Sequence, residues 1–524
     1  MNRRQPFIRK IVYLALIAGL LFPLTLLSKP STADATGRFK STGGVLAQMR
    51  DKYHLGQANL GEIDPSSEAI KLATLGMRGV AVNVLWTKLN HYRKVEDWTS
   101  TSATLEQIKK LQPNFIAAWR YQAWNLAYNF SVEFDDYRDR YYWVIRGINF
   151  LKEGTEYNDR EPILLWDMGH FISQKIGRSD EKRLFRKMFV ADDDFHGNRP
   201  YGERDNWLVG RGKFLEAEQA VADGKKMKGQ SPLIYLSNAP LCLIYYAMAL
   251  EDEGQFNEVT RNAWDQSAQS WQAYGEREIP GADGLPYRMS EMELHATKYA
   301  ELRRKIEELA GPNAETNIIE RKRQALSPKQ RDLLLMKPKD RSMLQHEEAA
   351  AAARNLIVSI DDLTGEVPDD KKAEAKKLAE EANAVLAKVQ YIDTSRNIVN
   401  YLYWLDRCRA ERTDTAVASH QALFEADKAY RDVEFERALE LYQQGFQSWR
   451  KLLDEFPLLL EDSSLGEDLV RSIKRYRRCL KELNQEFPEQ FVLQDILDRH
   501  EQIEPGAKPL DKVLQRKQES TPAK

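Results

Sequence analysis

Hydrophobic residues recur at helical spacing along most of the chain, and this pattern constrains the fold more than any other feature. From residue 66 onward, apolar side chains return every three or four positions, and no stretch alternates with period two as a half-buried strand would. Pro and Gly fall between the helical stretches. An amphipathic helix must bury one face against another element, so the sequence predicts an all-α fold.

The composition excludes several classes of protein. A polytopic membrane protein would be more apolar than a chain with 42 % hydrophobic and 30 % charged residues. A disordered chain would not carry 11 Trp, 22 Tyr and 19 Phe. The 77 Lys and Arg residues are balanced by 79 Asp and Glu residues, so no overall positive charge attracts nucleic acid.

The clearest repeat unit occupies residues 416–457. Small and aromatic residues recur in it at positions 8, 17, 20, 24 and 27 of a 34-residue frame, namely Ala426, Phe435, Ala438, Tyr442 and Gly445. This pattern resembles the tetratricopeptide repeat, in which small residues let two antiparallel helices approach closely and aromatic residues fill the gap to the next pair. Ala422 and Glu425 depart from the motif, which has Trp and Leu at these two positions.

Weaker copies of this unit occur earlier in the chain. Gly254 and Phe256 match the turn between the two helices of a repeat, and Trp119 and Ala123 match positions 4 and 8. We therefore predict a degenerate tetratricopeptide-like α-solenoid, with a generic helical bundle as the alternative. In either fold, the repeat-packing residues are expected to be buried between helices.

Residues 289–400 have a different pattern. Two stretches carry apolar residues at alternating spacings of three and four, flanked by charged residues: Met292, His295, Tyr299, Leu302, Ile306 and Leu309, then Ala375, Leu378, Ala382, Val385 and Val389. This spacing predicts a coiled-coil-like helical arm. Two ordinary long surface helices would account for the pattern equally well.

The N-terminus predicts a membrane anchor. Residues 1–10 carry four basic residues, and the uncharged run 11–28 that follows would form a helix about 27 Å long, enough to cross a bilayer core. The basic flank places the N-terminus in the cytoplasm and the bulk of the chain in the periplasm, on the inner membrane. The alternative is a cleaved signal peptide, since Ala33 and Ala35 have the small-x-small form of a cleavage site.

The remaining boundaries follow from these patterns. We predict a linker at 29–65, a helical repeat region at 66–288, the arm at 289–400, a second repeat region at 401–504 and a disordered tail at 505–524. Cys408 and Cys479 lie in helical stretches and could pair in an oxidising compartment, but the sequence favours buried free thiols.

The most site-like cluster for chemistry is an acidic loop that contains Asp192, Asp193, Asp194 and His196. These side chains are metal-ligand types, but their spacing matches neither a calcium loop nor a zinc motif. The loop is better explained as a solvated cap or as a contact surface for Arg199, Arg204 and Arg211. We find no catalytic constellation and no nucleotide-binding motif. The sequence therefore predicts no catalytic residue, no cofactor and no enzymatic activity, with these four residues as the only metal candidates.

A dense aromatic stretch at 119–143 supplies the candidate partner-binding residues, which are Tyr121, Tyr141, Tyr142 and Arg138. Helix-spaced aromatic residues usually pack between helices. The alternative is an aromatic groove that binds an extended peptide or glycan.

Four segments together resemble a family of large membrane-anchored bacterial proteins, some of which carry the label "iron-responsive element". They read MNRRQPFIRKIVYLALIAGLLFPL, GGVLAQMRDKY, LGEIDPSSEAIKLATLGMRGVA and WNLAYNFSVEFDDYRDRYYWVIRGINFLKEGT. The resemblance implies anchoring but no activity. We expect an envelope scaffold or assembly factor that binds protein partners and contacts the bilayer through residues 11–28, without nucleic acid. The alternative is an envelope enzyme or ligand-binding protein that uses the acidic loop or the aromatic helices.

Overall fold

The computed structural model describes residues 78–111, 113–281 and 285–500, with a few of the first 49. Of the described residues, 79 % lie in helices and 1 % in strands, which confirms the predicted all-α class. The chain divides into two compact units, Met1–Ala263 and Trp264–Lys524.

The elements of the first unit are mostly helices. They are the short antiparallel strands β1 (Thr32–Ala33) and β2 (Phe39–Ser41), and the helices α1 (Arg78–Lys94), α2 (Trp98–Leu111), α3 (Ile116–Trp124), α4 (Tyr137–Tyr157), α5 (Pro162–His170), α6 (Ile176–Arg178), α7 (Lys182–Val190), α8 (Asp193–His196), α9 (Asn206–Ala222) and α10 (Pro232–Asp252). Short π-helices continue α3 (Asn125–Phe130) and α5 (Phe171–Lys175), and 3-10 turns lie at Ser131–Glu133 and Tyr201–Glu203.

Helix α11 (Glu258–Glu276) crosses into the second unit. The second unit continues with the antiparallel strands β3 (Ile279–Pro280) and β4 (Pro286–Tyr287), and with α12 (Met292–Ala310), α13 (Ala314–Ala325), α14 (Pro328–Leu335), α15 (Met343–Asn355), α16 (Ile360–Gly365), α17 (Lys372–Ile398), α18 (Tyr401–Glu411), α19 (Asp414–Arg431), α20 (Phe435–Glu455), α21 (Ser463–Glu482) and α22 (Gln494–His500). Its 3-10 turns are Met289–Glu291, Pro338–Asp340 and Pro457–Glu461.

Two helix pairs of the first unit repeat one packing arrangement. In the pair α3–α4, a Cβ atom added at Gly147 would lie 2.8 Å from the Ala123 carbonyl oxygen and 2.9 Å from the Ala127 Cβ. In the pair α5–α9, a Cβ at Gly210 would lie 3.0 Å from the carbonyl oxygen of Gly169. Small residues therefore allow the backbones to approach closely in both pairs.

The two helix pairs also correspond about two turns further along their second helices. Gly154 of α4 packs against the Trp119 ring, which is almost fully buried, and the equivalent contact in the second pair joins Ala217 to Leu165. The first unit thus contains a repeated helical hairpin. Its second copy carries the additional short helices α6 to α8 between its two long helices.

Helices α19 and α20 form the hairpin that the sequence describes most clearly. Ala426, Ala438 and Tyr442 are fully buried, and Phe435 is partly buried. Gly445 packs on Leu423, where an added Cβ would lie 2.7 Å from the leucine Cδ2. Helices α21 and α22 complete the core of this region.

Helices α12 and α17 pair in antiparallel fashion. Glu293 at the start of α12 lies 2.6 Å from Arg396 near the end of α17, and Lys298 lies 2.7 Å from Glu381 toward the middle of α17. Their shared core also receives residues from α13 and α16, so the pair belongs to a small bundle. The coiled-coil arm at 289–400 stays a prediction.

The unit boundary at Ala263 falls inside the region 66–288, which the sequence assigns to one repeat array. The reason is that the second half of α11 packs within the second unit. Trp271 of that half donates a hydrogen bond of 2.9 Å to the Tyr401 carbonyl oxygen, and the two rings stack.

The predicted stub at 1–10, the tail at 505–524 and most of the linker at 29–65 lie outside the described residues, as does most of the predicted span 11–28. Among the described residues, one helix is long and apolar enough to cross a membrane, namely α10, with a mean hydropathy of 1.6. Because 56 % of that stretch is buried inside the protein, α10 has the character of a core helix.

Candidate functional site

Helix α3 presents aromatic side chains on both of its faces. Trp119 and Ala123 lie on the face that packs against α4 and are buried. On the opposite face, the side chains of Tyr121 and Trp124 are 41 % and 46 % exposed. A helix that is apolar on both faces needs either a second set of neighbours or a binding partner.

Five aromatic residues, three exposed and two half-buried, make up a surface that we call the aromatic belt. It consists of Trp86 from α1, Phe115 before α3, and Tyr121, Trp124 and Tyr128 along α3 and its π-helix. The Trp86 and Tyr121 ring centres lie 5.6 Å apart, and the Trp124 and Tyr128 rings stack at 4.0 Å. Such contacts hold the rings in place before any partner arrives.

A groove of about 300 Å³ opens at one end of the belt, lined by Trp86, Asn90, Phe115, Ala117, Ala118 and Tyr121. A cavity of about 10 Å³ lies beside it and shares Trp86 and Ala118 with it. Gln122 lines the cavity, and both polar atoms of its buried amide lack a hydrogen-bond partner. A buried amide without partners costs free energy, so this position favours a water molecule or a polar ligand group.

Cationic side chains lie at both ends of the belt. At one end, Arg93 donates a hydrogen bond of 2.7 Å to the Tyr121 hydroxyl oxygen. At the other, the Lys175 ammonium lies 4.9 Å from the centre of the Tyr128 ring. Burial lowers the pKa of Lys175 and raises the pKa of Tyr128.

An ion pair between a half-exposed arginine and a buried carboxylate supports the middle of the belt. Arg120 of α3 binds both carboxylate oxygens of Asp167 of α5, at 2.5 and 3.1 Å. Burial raises the pKa of Asp167, and Arg120 opposes this shift. The bidentate geometry fixes α3 against α5 and therefore fixes the orientation of the belt.

The structure separates the four candidate partner-binding residues. Tyr121 lies in the belt. Tyr141 is buried and donates a hydrogen bond of 2.8 Å to Asp192, so it packs the interior and cannot line an open groove, contrary to the expectation. Tyr142 and Arg138 are exposed on α4. Tyr142 accepts a hydrogen bond from Arg146 of the same helix, and Arg138 contacts Tyr137 and Asp136.

The acidic loop is organised by capping and ion pairing. Asp192 caps the short helix α8 by accepting from the Phe195 amide at 2.9 Å, and Asp193 lies 2.6 Å from Arg204. The His196 ring contacts the Phe189 carbonyl oxygen through Nε2 at 2.7 Å and Arg199 through Nδ1 at 3.1 Å.

These contacts engage most of the atoms that could bind a metal in the loop. Burial, followed by the neighbouring arginines, lowers the pKa of His196, although its hydrogen bond to Phe189 opposes the shift. Asp194 is exposed at the surface. The capping bond and the ion pair hold together the segment between α7 and α9, so these residues have a structural role.

The three cysteines are free and buried. Burial raises the pKa of Cys242, Cys408 and Cys479, so the thiols stay protonated and unreactive near neutral pH. The structure therefore favours the free-thiol alternative over a bond between Cys408 and Cys479.

Sequence reasoning missed Trp86, Phe115, Trp124 and Tyr128. The signal was present in the spacing of Ala117, Tyr121, Trp124 and Tyr128, which places them on one helix face, while Trp119 and Ala123 lie on the other. Which of the two faces is open depends on where α1, α4 and α5 pack. No protein-family model and no curated protein matches the chain.

Proposed function

We propose that this protein is a membrane-anchored helical-repeat protein of the bacterial envelope, and that its aromatic belt binds an extended segment of a partner protein. The observation that carries the proposal is the row of exposed and half-buried rings with a groove at one end. Tyr and Trp supply large, rigid contact areas, and they dominate the binding energy of many protein interfaces.

The surroundings of the belt define the chemistry of the partner segment. The groove has the size and apolar lining of a site for a large side chain. Arg93 and Lys175 at the two ends favour carboxylates. We infer an extended peptide with one large apolar residue and acidic residues on both sides.

The membrane anchor rests on the N-terminal sequence. The described residues within 11–28 are helical, and the apolar side chains of Tyr13, Leu16 and Ile17 among them are more than half exposed. Exposed apolar side chains on a helix support contact with lipid. The repeated hairpins of the first unit support an extended repeat array, which would present the belt to partners.

Photo-crosslinking in intact cells tests the belt. A photoreactive residue is placed at position 124 of the full chain and, as the control, at position 201, where Tyr201 is exposed outside the belt. We expect position 124 to cross-link one protein through an acidic segment, and position 201 not to do so. Equal labelling of the same protein from both positions would contradict the proposal.

A synthetic peptide with the cross-linked segment then tests the energetics. Removing a central aromatic residue from an interface typically weakens binding by about 2 kcal/mol or more. We therefore expect Tyr121→Ala and Trp124→Ala each to weaken binding of this peptide at least about tenfold, and Tyr201→Ala to leave it unchanged. Equal affinity for all variants would overturn the assignment of the belt.

A further inference from the structure

A second exposed apolar surface lies in the second unit, where the hairpin of α14 and α15 turns. Leu335, the last residue of α14, is 85 % exposed, and Leu344, in the first turn of α15, is 66 % exposed. By contrast, Leu333 of the same hairpin is buried. Two leucines exposed to this extent are costly in water unless another surface covers them.

The turn that carries these leucines is well defined. The Arg341 guanidinium donates hydrogen bonds to the carbonyl oxygens of Leu334 and Met336, at 3.3 and 2.6 Å. Capping boxes begin both helices, at Ser327 and at Ser342. The bonds from Arg341 join the two sides of the turn, so Leu335 and Leu344 lie at the same end of the hairpin.

This end of the hairpin is positively charged. Residues 331–344 contain four basic and two acidic residues, whereas the whole chain has a net charge of -2. Arg331 and Lys337 are exposed, and neither forms an ion pair with any described residue. We call residues 331–344 the leucine–basic tip.

We propose that the leucine–basic tip docks on the surface of an anionic lipid bilayer. Leu335 and Leu344 enter the boundary between headgroups and acyl chains, and Arg331 and Lys337 lie among the lipid phosphates. Apolar residues beside several basic ones are the combination that binds anionic membranes, since burial of the leucines and attraction of the charges add together.

The charge decides between a lipid surface and an apolar protein surface. A purely apolar partner would leave Arg331 and Lys337 at the rim without a counter-charge, while an anionic bilayer offers phosphates around the whole tip. The inference goes beyond the peptide-binding function. It relies on the proposed anchor only to bring the chain to a membrane.

Fluorescence quenching on the full chain tests the tip. The three natural cysteines are buried, so a dye can be attached selectively to Leu335→Cys or, as a matched control, to Leu294→Cys, which replaces a leucine 67 % exposed on α12. The labelled proteins are reconstituted into vesicles of phosphatidylcholine, with or without phosphatidylglycerol, that contain a spin-labelled quencher lipid. Flotation of the vesicles reports the anchor separately.

We expect the dye at position 335 to be quenched in the vesicles that contain phosphatidylglycerol, and much less in pure phosphatidylcholine. The dye at position 294 should remain unquenched in both. Arg331→Glu and Lys337→Glu should each weaken the contact about thirtyfold, because each change removes a positive charge and adds a negative one, and one charge near an anionic surface contributes about 1 kcal/mol. Arg304→Glu, at an exposed position on α12, should not change it.

The opposite results would overturn the proposal. If the protein floats with the vesicles but the dye at position 335 is not quenched, the anchor stands and the tip does not bind lipid. Equal quenching at positions 335 and 294 would show a nonspecific approach to the bilayer. A dye at position 335 that is protected only after another protein is added would assign the tip to a protein partner.

Discussion

Asp362 combines two roles at the start of helix α16. Its carboxylate closes the capping box with Ser359, accepting from the serine amide and hydroxyl at 2.8 Å each, and lies 2.5 Å from the Lys322 ammonium. Partial burial raises the pKa of Asp362, but Lys322 and Ser359 together lower it to about 2. The carboxylate thus stabilises the folded state only while it is ionised.

We predict a corresponding loss of stability in acid. The folded-state pKa lies below the unfolded value of about 3.9, so the contribution is complete above the unfolded pKa and disappears as the pH falls from about 4 to about 2. Carboxyl NMR titration should report a pKa near 2 for Asp362, and Lys322→Met should raise it. Unfolding of Asp362→Asn should lack this part of the acid dependence, while Asp361→Asn should retain it.

Val433 adopts a backbone conformation that suits glycine. It follows the last turn of α19 with φ of 64°, and the Glu434 amide donates to the Ala429 carbonyl oxygen at 2.9 Å. Gly254 ends α10 in the same way, with φ of 80° and an equivalent bond from Gln255. A β-branched residue in the left-handed region is strained, whereas glycine is not.

We therefore predict that Val433→Gly stabilises the α19–α20 hairpin. Relief of the left-handed strain, about 1–2 kcal/mol, exceeds the entropy cost of glycine, so the net gain is about 0.5–1 kcal/mol. The reverse change, Gly254→Val, should destabilise the end of α10 by at least as much. Hydrogen exchange of the helix amides measures both effects, and faster exchange in Val433→Gly would contradict the prediction.

At the scale of elements, the close approach of α5 and α9 depends on glycines at their contact. A Cβ at Gly210 would lie 3.0 Å from both the Gly169 carbonyl oxygen and the Ser173 Cβ. Gly212, two residues further along α9, faces open space, and a Cβ added there would meet no atom within 4 Å. The same substitution at these two sites therefore separates packing from helix propensity.

We predict opposite effects for the two alanine variants. Gly210→Ala forces the helices apart and should lower the free energy of unfolding by about 1–3 kcal/mol. Gly212→Ala should raise it by up to about 1 kcal/mol, because alanine is the better helix former. Thermal unfolding followed by circular dichroism measures both. Similar shifts of the same sign would mean that the contact between α5 and α9 does not limit stability.

At the scale of the whole molecule, the proposed anchor predicts how the protein partitions. Deletion of residues 1–28 should release it from membranes without detergent, while the full chain should resist extraction at high pH. The uncleaved span also predicts that the protein isolated from cells retains residues 11–28. An N-terminus between residues 34 and 36 would instead identify a cleaved signal peptide.

Much of the helical architecture could be predicted because it depends on local periodicity. Ala426, Ala438 and Tyr442 are spaced as a tight helical hairpin requires, and they are fully buried. The close contact of Gly445 with α19 follows from the same spacing. These predictions succeed because residues three and four apart share a helix face whatever the rest of the chain does.

The functional surface could be predicted only in part. Tyr121 and Tyr141 look alike in the sequence, but Tyr121 is exposed and Tyr141 is buried against Asp192. In the acidic loop, the sequence predicts a cap or contacts with nearby arginines, but only the structure shows that Asp192 forms the cap and that Arg204 pairs with Asp193. Ion pairs and caps join residues that are distant in sequence, so spacing alone does not reveal them.

The sequence by itself therefore determined that the chain forms amphipathic helices, and that small residues allow some of them to pack closely, since both properties depend on local spacing. Only the tertiary structure decided which aromatic face of α3 is open. It also decided that the exposed leucines of α14 and α15 lie at the same, positively charged end of a hairpin. A side chain is exposed when no other part of the chain packs against it, and that depends on how segments distant in sequence are arranged.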